Sequence, residues 1–202
     1  MQAFAALIDG LVYTRSRDAK IKLIADYLRA TPDPDRGWAL AALAGTLSIA
    51  TVKSAAIRAM AEERFDPMLF RMSRDYVGDT AETVALMWGD QAGADTVAPS
   101  LNEVIDLLNS TSRASAPRLL AGLMDRLDAN GRYALLKLAS GGMRVGISAR
   151  LAKTAFAQSF GLTVDDVEEV WHALRPPYAE LFAWGEGKSG RPDPADSAFF
   201  RP

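Results

Sequence analysis

The chain has 202 residues, 49% of them hydrophobic and 24% charged, with a formal net charge of −2. This is globular composition, long enough to bury a core and incompatible with a disordered or collagen-like chain. The absence of cysteine excludes disulfides, zinc fingers, iron–sulfur ligation and thiol catalysis, and a single histidine, His172, excludes a histidine-rich metal site and most acid–base triads.

The 35 Ala and 23 Leu outnumber the 27 Val, Ile and Thr, a balance that favours helix because β-branched residues lose χ1 freedom there. Phe4, Leu7, Ile8 and Leu11 form the first helical stripe, and Ile21, Ile24, Tyr27 and Leu28 the second. Further helices are predicted near 38–47, 52–63, 66–77, 80–88, 101–109, 116–127, 131–139, 149–160, 164–174 and 178–184. Asp79 with Glu82, Ser100 with Glu103, and Thr163 with Asp166 have the spacing of helix-starting caps. Breaks fall at Thr31-Pro32-Asp33-Pro34, Gly89, Ala98-Pro99, Asn130-Gly131, Gly141-Gly142 and Arg175-Pro176-Pro177. The expectation is one compact all-α bundle of about a dozen short helices over residues 1–184, with Met143–Ile147 the only short strand candidate. No internal repeat of fixed period is evident.

No apolar run approaches the ~18 residues of a membrane span, and Met1-Gln2-Ala3-Phe4 lacks the layout of a secretory signal. A soluble, cytoplasmic protein is expected, with no membrane partner. Residues 185–196 are rich in Gly, Pro and charge and read as a linker. Phe199 and Phe200 beyond them resemble the opening of another domain, so residues 185–202 are expected to lead towards one.

Charge is distributed unevenly. Residues 113–153 carry +6 and the remaining chain −8, whereas Asp75–Asp106 contains seven acids and no Lys or Arg. Smaller basic groups are Arg15, Arg17, Lys20 and Lys22, then Lys53, Arg58, Arg64, Arg71 and Arg74. Such clusters are either solvated helix faces or a one-sided footprint for a polyanion, and composition does not choose.

Most motifs have bland readings. Gly185-x-Gly187-Lys188-Ser189-Gly190 lacks the spacing, preceding strand and following helix of a phosphate loop. His172 beside Trp171 suits packing or surface better than catalysis, and Ser110, Ser112 and Ser115 have no nearby base. No residues are therefore expected to be catalytic, to hold a cofactor or to bind a metal. The informative stretch is Gly141-Gly142-Met143-Arg144-Val145-Gly146-Ile147-Ser148-Ala149-Arg150. Its glycines permit positive φ and close backbone approach, and Ser148 can cap a helix beginning at Ala149. A glycine turn, a helix N-terminus and the cations Arg144, Arg150 and Lys153 suit a phosphodiester backbone. A plain helix–turn–helix explains the same residues equally well.

The segment Leu136–Ser148 resembles the "leucine-rich helix, Gly-x-(Leu/Met)-Arg-(Ile/Val)-Gly-(Leu/Val)-Ser" element in the N-terminal DNA-binding domain of ATP-dependent DNA ligases. Tyr76–Val84 resembles the same domain's Gly-Asp-x-(Ala/Gly)-Glu-x-Val element. Thr14-Arg15-Ser16-Arg17 and Lys20 look like its start, and the resemblance spans about residues 1–182. It implies an all-α domain that binds nicked double-stranded DNA across the minor groove, in DNA repair, replication and recombination. The DNA-binding residues expected on this basis are Arg15, Arg17, Lys53, Gly142, Arg144, Gly146, Ser148, Arg150 and Lys153. It further implies partner catalytic and OB-fold domains on the same parent chain, which would use ATP and magnesium, and a monomer near the nucleoid.

The chain contains no Lys-x-Asp-Gly, the lysine motif that the family adenylates, so no cofactor and no sealing activity are expected of this piece alone. Backbone and minor-groove contacts suit a binder that must accept any sequence. The rival expectation is a helical protein–protein scaffold. A small-molecule enzyme is a weaker third, because no acid–base pair converges.

Overall fold

The computed structural model describes residues 1–49, 52–89, 97–143 and 145–193. Among the described residues there are twelve α-helices and no strand. They are α1 (Gln2–Tyr13), α2 (Arg17–Ala30), α3 (Asp35–Ala44), α4 (Ser54–Arg64), α5 (Pro67–Val77) and α6 (Thr80–Met87), followed by α7 (Leu101–Ser110), α8 (Ala116–Met124), α9 (Ala129–Ala139), α10 (Ala149–Phe160), α11 (Val164–Trp171) and α12 (Ala179–Gly185). The protein is all-α. The short strand candidate at Met143–Ile147 is not realised among its described residues: Val145 and Gly146 form a bend, and Gly146 at φ +66° is outside extended geometry.

Helix starts follow local chemistry. Asp79 accepts from the Glu82 N–H at 3.0 Å, Ser100 from Glu103 at 3.0 Å, and Thr163 from Asp166 at 3.1 Å. Ser16, Asp66, Asp128 and Ser148 cap α2, α5, α9 and α10 in the same way. Helix ends depart from the apolar pattern where a backbone requirement intervenes. α3 stops at Ala44, three residues before the stripe does, because Gly45 adopts a left-handed φ of +72°. α8 stops at Met124 rather than Leu127, because Arg126 and Leu127 donate to the carbonyls three residues back, Leu123 and Met124, and tighten the chain out of α-geometry before Asp128 caps α9.

The chain divides into two compact units, each assembled from two stretches of sequence. The first comprises Met1–Asp9 with Ser48–Met143. Within it α6 packs mainly on α9 and α5, α4 touches α5, α6 and α8, and α8 lies between α7 and α9. Leu101, Val104, Ile105, Leu120, Leu135 and Leu136 form its sealed interior. Phe65 stacks near Phe70 and edge-on to Trp88, whose indole N–H donates to Asp125 at 2.8 Å.

The second unit comprises Gly10–Leu47 with the chain from residue 144 onward. Here α10 is the central helix, packed against α2, α3 and α11. Phe156, Phe160 and Phe182 cluster with ring centroids 4.9–5.9 Å apart. The opening of the stretch read as a linker is tied to this unit. Glu186 pairs with Arg36 at 2.5 Å, and Arg191 pairs with Glu169 and, at 3.2 Å, with Asp166.

Among the helical glycines of the described residues, one has no structural explanation in its own unit. Gly122 lies inside α8 without a positive φ, and a Cβ built there meets nothing within 4 Å. The helical Gly10, Gly37, Gly131 and Gly185 all have neighbours inside that distance. Mid-helix glycine costs about 1 kcal/mol relative to alanine, so Gly122→Ala is expected to raise stability by about that amount. Chemical denaturation of the two proteins checks this, and a loss of stability would refute the open-space reading.

Candidate nucleic-acid interface

In the second unit, two helix starts meet. Ser16 caps α2, placing Arg17 in its first turn, and Lys20 one turn further on reaches across to donate from Nζ to the Gly146 carbonyl at 3.2 Å. Ser148, two residues past Gly146, caps α10 through a hydrogen bond from the Leu151 N–H at 3.2 Å. The first N–H groups of α10 and its positive dipole end therefore share one neighbourhood with Lys20. Arg15 and Arg17 are exposed, and Arg17 has a loose 3.6 Å contact with the still more exposed Asp18.

Gly146 is there for a conformational reason. Its φ of +66° is one that L side chains rarely adopt, and a Cβ would come within 3.0 Å of Lys20 Nζ. The other expected cations of this unit are partly occupied. Arg150 lies 3.6 Å from Glu168, and Lys153 sits over the Trp171 ring at 5.1 Å. Arg144 lies outside the described residues.

Lys53 and Gly142 belong to the first unit. Lys53 is exposed and precedes α4, with no side-chain cap hydrogen bond. Gly142 donates its N–H to the Lys137 carbonyl at 2.9 Å, while Gly141, at φ +70°, donates to Leu138 at 3.0 Å. These two bonds are the standard left-handed closure of a helix, here ending α9. Gly141 thus has its account in helix termination, and Gly142 contributes its backbone N–H to the same closure.

The +6 segment is not a run of free surface charge. Arg132 is 1% exposed, and its Nε donates to the Met124 carbonyl at 3.0 Å. Arg126 is held by Glu103 at 2.9 Å and by the Val97 carbonyl. Lys137 pairs with Asp79, which also caps α6. Burial alone would raise the Asp79 carboxyl, but the hydrogen bonds from Lys137 and the Glu82 N–H outweigh it and hold it below the usual carboxylate range. That pair joins the Gly-Asp-x-Ala-Glu stretch to the leucine-rich helix.

The residues given bland readings are accounted for. Lys188 and Ser189 turn their N–H groups onto the Ala183 carbonyl, closing α12. His172 is exposed at the end of α11, and Ser110 back-bonds to Asp106 at 2.8 Å. No group of three or more His, Asp or Glu able to hold a metal occurs among the described residues, and none of their helices is long and apolar enough to cross a membrane. In the sequence Lys20 is legible as part of a basic group and of the ligase-like opening, but not as a contact of the Gly146 turn. Its spacing from Arg17 on α2 put it on a shared face, but its partner lies 126 residues away.

Comparison with known proteins returned no matching family model and no matching curated protein.

Proposed function

We propose that this chain holds nicked duplex DNA without sequence preference, as the DNA-binding domain of an ATP-dependent DNA ligase acting in repair and replication. The observation that carries the reading is the Lys20–Gly146 contact, which gathers Arg15, Arg17, Lys20 and the N-terminus of α10 into one cationic neighbourhood. Phosphate oxygens accept from N–H groups at a helix start, and cations above it release counterions on binding. Arg144, adjacent in sequence, would contact the minor groove. The ligase-like motifs at Tyr76–Val84 and Leu136–Ser148 support the family part of the proposal. Sealing itself, with ATP and magnesium, would belong to catalytic and OB-fold domains carrying the absent Lys-x-Asp-Gly.

Binding isotherms on nicked duplex at several salt concentrations test it. Lys20→Ala, Arg17→Ala and Arg144→Ala are each expected to weaken binding roughly three- to tenfold and to flatten the salt dependence by about one phosphate's worth of slope. The losses should be equal across DNA sequences. Unchanged affinity and slope in Arg144→Ala and Gly146→Val, with native circular dichroism, would overturn the reading. The exposed apolar face of α5 and α6, including Met68, Met72, Tyr76 and Leu86, favours a helical interaction scaffold as the second reading.

A further inference from the structure

The first unit carries a groove of about 420 Å³ between the end of α7 and the length of α8, well away in sequence from the helix starts described above. Its floor is apolar, formed by Leu107, Leu119 and Leu123, with Thr111 and Ser115 at one rim. Arg118 and Gly122, four residues apart, line it from one face of α8, and Arg126 lines it from the turn just past the end of that helix. The glycine leaves bare backbone between two guanidinium groups. Neither its φ nor any neighbour requires a glycine there, and a side chain at that position would project into free space.

The charges on this groove select an occupant. Arg126 is already neutralised by Glu103, whereas Arg118 is exposed and makes no ion pair or hydrogen bond with any described residue. The neighbouring loop adds Arg113, equally exposed and equally without a carboxylate among the described residues. A phosphodiester chain would satisfy the cations but leave the leucine floor and the glycine gap unfilled. An amphipathic segment with apolar and acidic side chains satisfies both. The apolar face of α5 and α6 offers no such selection, since nothing there specifies what covers it.

We propose that the α7–α8 groove is a docking site for an acidic amphipathic peptide segment of a partner protein. One apolar side chain seats over Gly122, and a carboxylate next to it pairs with Arg118.

The test uses the full chain and three probes: a short helical peptide of Leu, Glu and Ala with its leucines on one face, the same peptide with Lys for Glu, and a nicked DNA duplex. Backbone amide NMR is expected to show the Glu peptide shifting Thr111, Arg118 and Gly122, with the Lys peptide silent there. Gly122→Leu, which fills the gap, and Arg118→Glu, which reverses the charge, should each weaken the Glu peptide roughly tenfold or more. Gly122→Ala serves as the folded control with a smaller loss. Equal binding of the two peptides, no shift at the groove, or undiminished affinity in both variants would overturn the proposal. So would nicked duplex shifting the same amides and weakening in Gly122→Leu, which would make the groove a nucleic-acid surface.

Discussion

Gly37→Ala is expected to destabilise the second unit by more than about 3 kcal/mol, lowering the melting temperature by roughly 10 °C. Gly37 lies in the first turn of α3, where its backbone approaches the Pro177 peptide directly. A Cβ would fall 1.7 Å from the Pro177 carbonyl oxygen and 2.7 Å from its carbon. Those are backbone atoms, so no rotamer change relieves the clash, and either α3 or the turn before α12 must move. That movement would disturb the interior around Leu40, Tyr178 and Phe182, all 2% exposed or less. Thermal melts by circular dichroism check the expectation. Because Gly122→Ala places the same methyl group in open space, the two variants should shift in opposite directions. A Gly37→Ala melt within about 2 °C of the parent would show the approach of the two backbones to be looser than described.

Arg36→Ala is expected to cost about 3 kcal/mol, and the loss should depend on pH. Arg36 is 6% exposed. Its Nε and Nη2 donate to both oxygens of Asp33 at 2.8 and 2.6 Å, and its Nη1 donates to Glu186 at 2.5 Å. Its guanidinium also lies 4.2 Å from the centre of the Phe182 ring. Two carboxylates and an aromatic face thus share one cation, and the hydrogen bonds to Asp33 and Glu186 raise the guanidinium pKa still further despite burial.

The Arg36 hydrogen bond, followed by that from Lys188, holds Glu186 at about 2, well below the ordinary carboxylate range. A carboxyl depressed in the folded state contributes stability above its unfolded pKa and loses it as pH falls through the folded one. For Glu186 that window runs from about 4.5 down to about 2. The parent protein should therefore lose stability more steeply than Arg36→Ala across that range, and the gap between them should narrow. Denaturant titrations of both proteins at about pH 7 and about pH 3 measure this. A gap that stays constant would mean that Glu186 does not share the cation.

These two sites show where sequence reading loses reach. Pro32, Pro34 and the turn near Pro176 were legible as breaks, and the helices beside them as apolar stripes, because both signals are local. Nothing near Arg36 indicated that its partner would be Glu186, 150 residues away and inside a stretch whose composition reads as a linker. Composition describes what a segment can do alone, whereas Glu186 and Arg191 are held by charges on other helices. Asp79 shows the same division within one residue. Its cap on α6 was visible from Glu82 three positions on, while its pairing with Lys137 depends on α6 and α9 being neighbours.

The basic segment makes the point for function. Read along the chain, residues 113–153 are a single run of positive charge. In the fold Arg132 is buried, Lys137 and Arg126 are paired, Arg118 lines a groove in one unit and Arg150 starts a helix in the other. Meanwhile Lys20, from a short basic cluster near the N-terminus, reaches the Gly146 turn. By itself the sequence determined the all-α class, the helix starts, the glycine and proline breaks, and the cap of α10 by Ser148. Each of these depends on residues within about one turn of one another, so local hydrogen bonding and side-chain spacing suffice. Only the tertiary structure decided which cations are free, which glycines have neighbours, and which distant turns share a surface. Those properties belong to pairs far apart in the chain, and their energies exist only once the interior has packed.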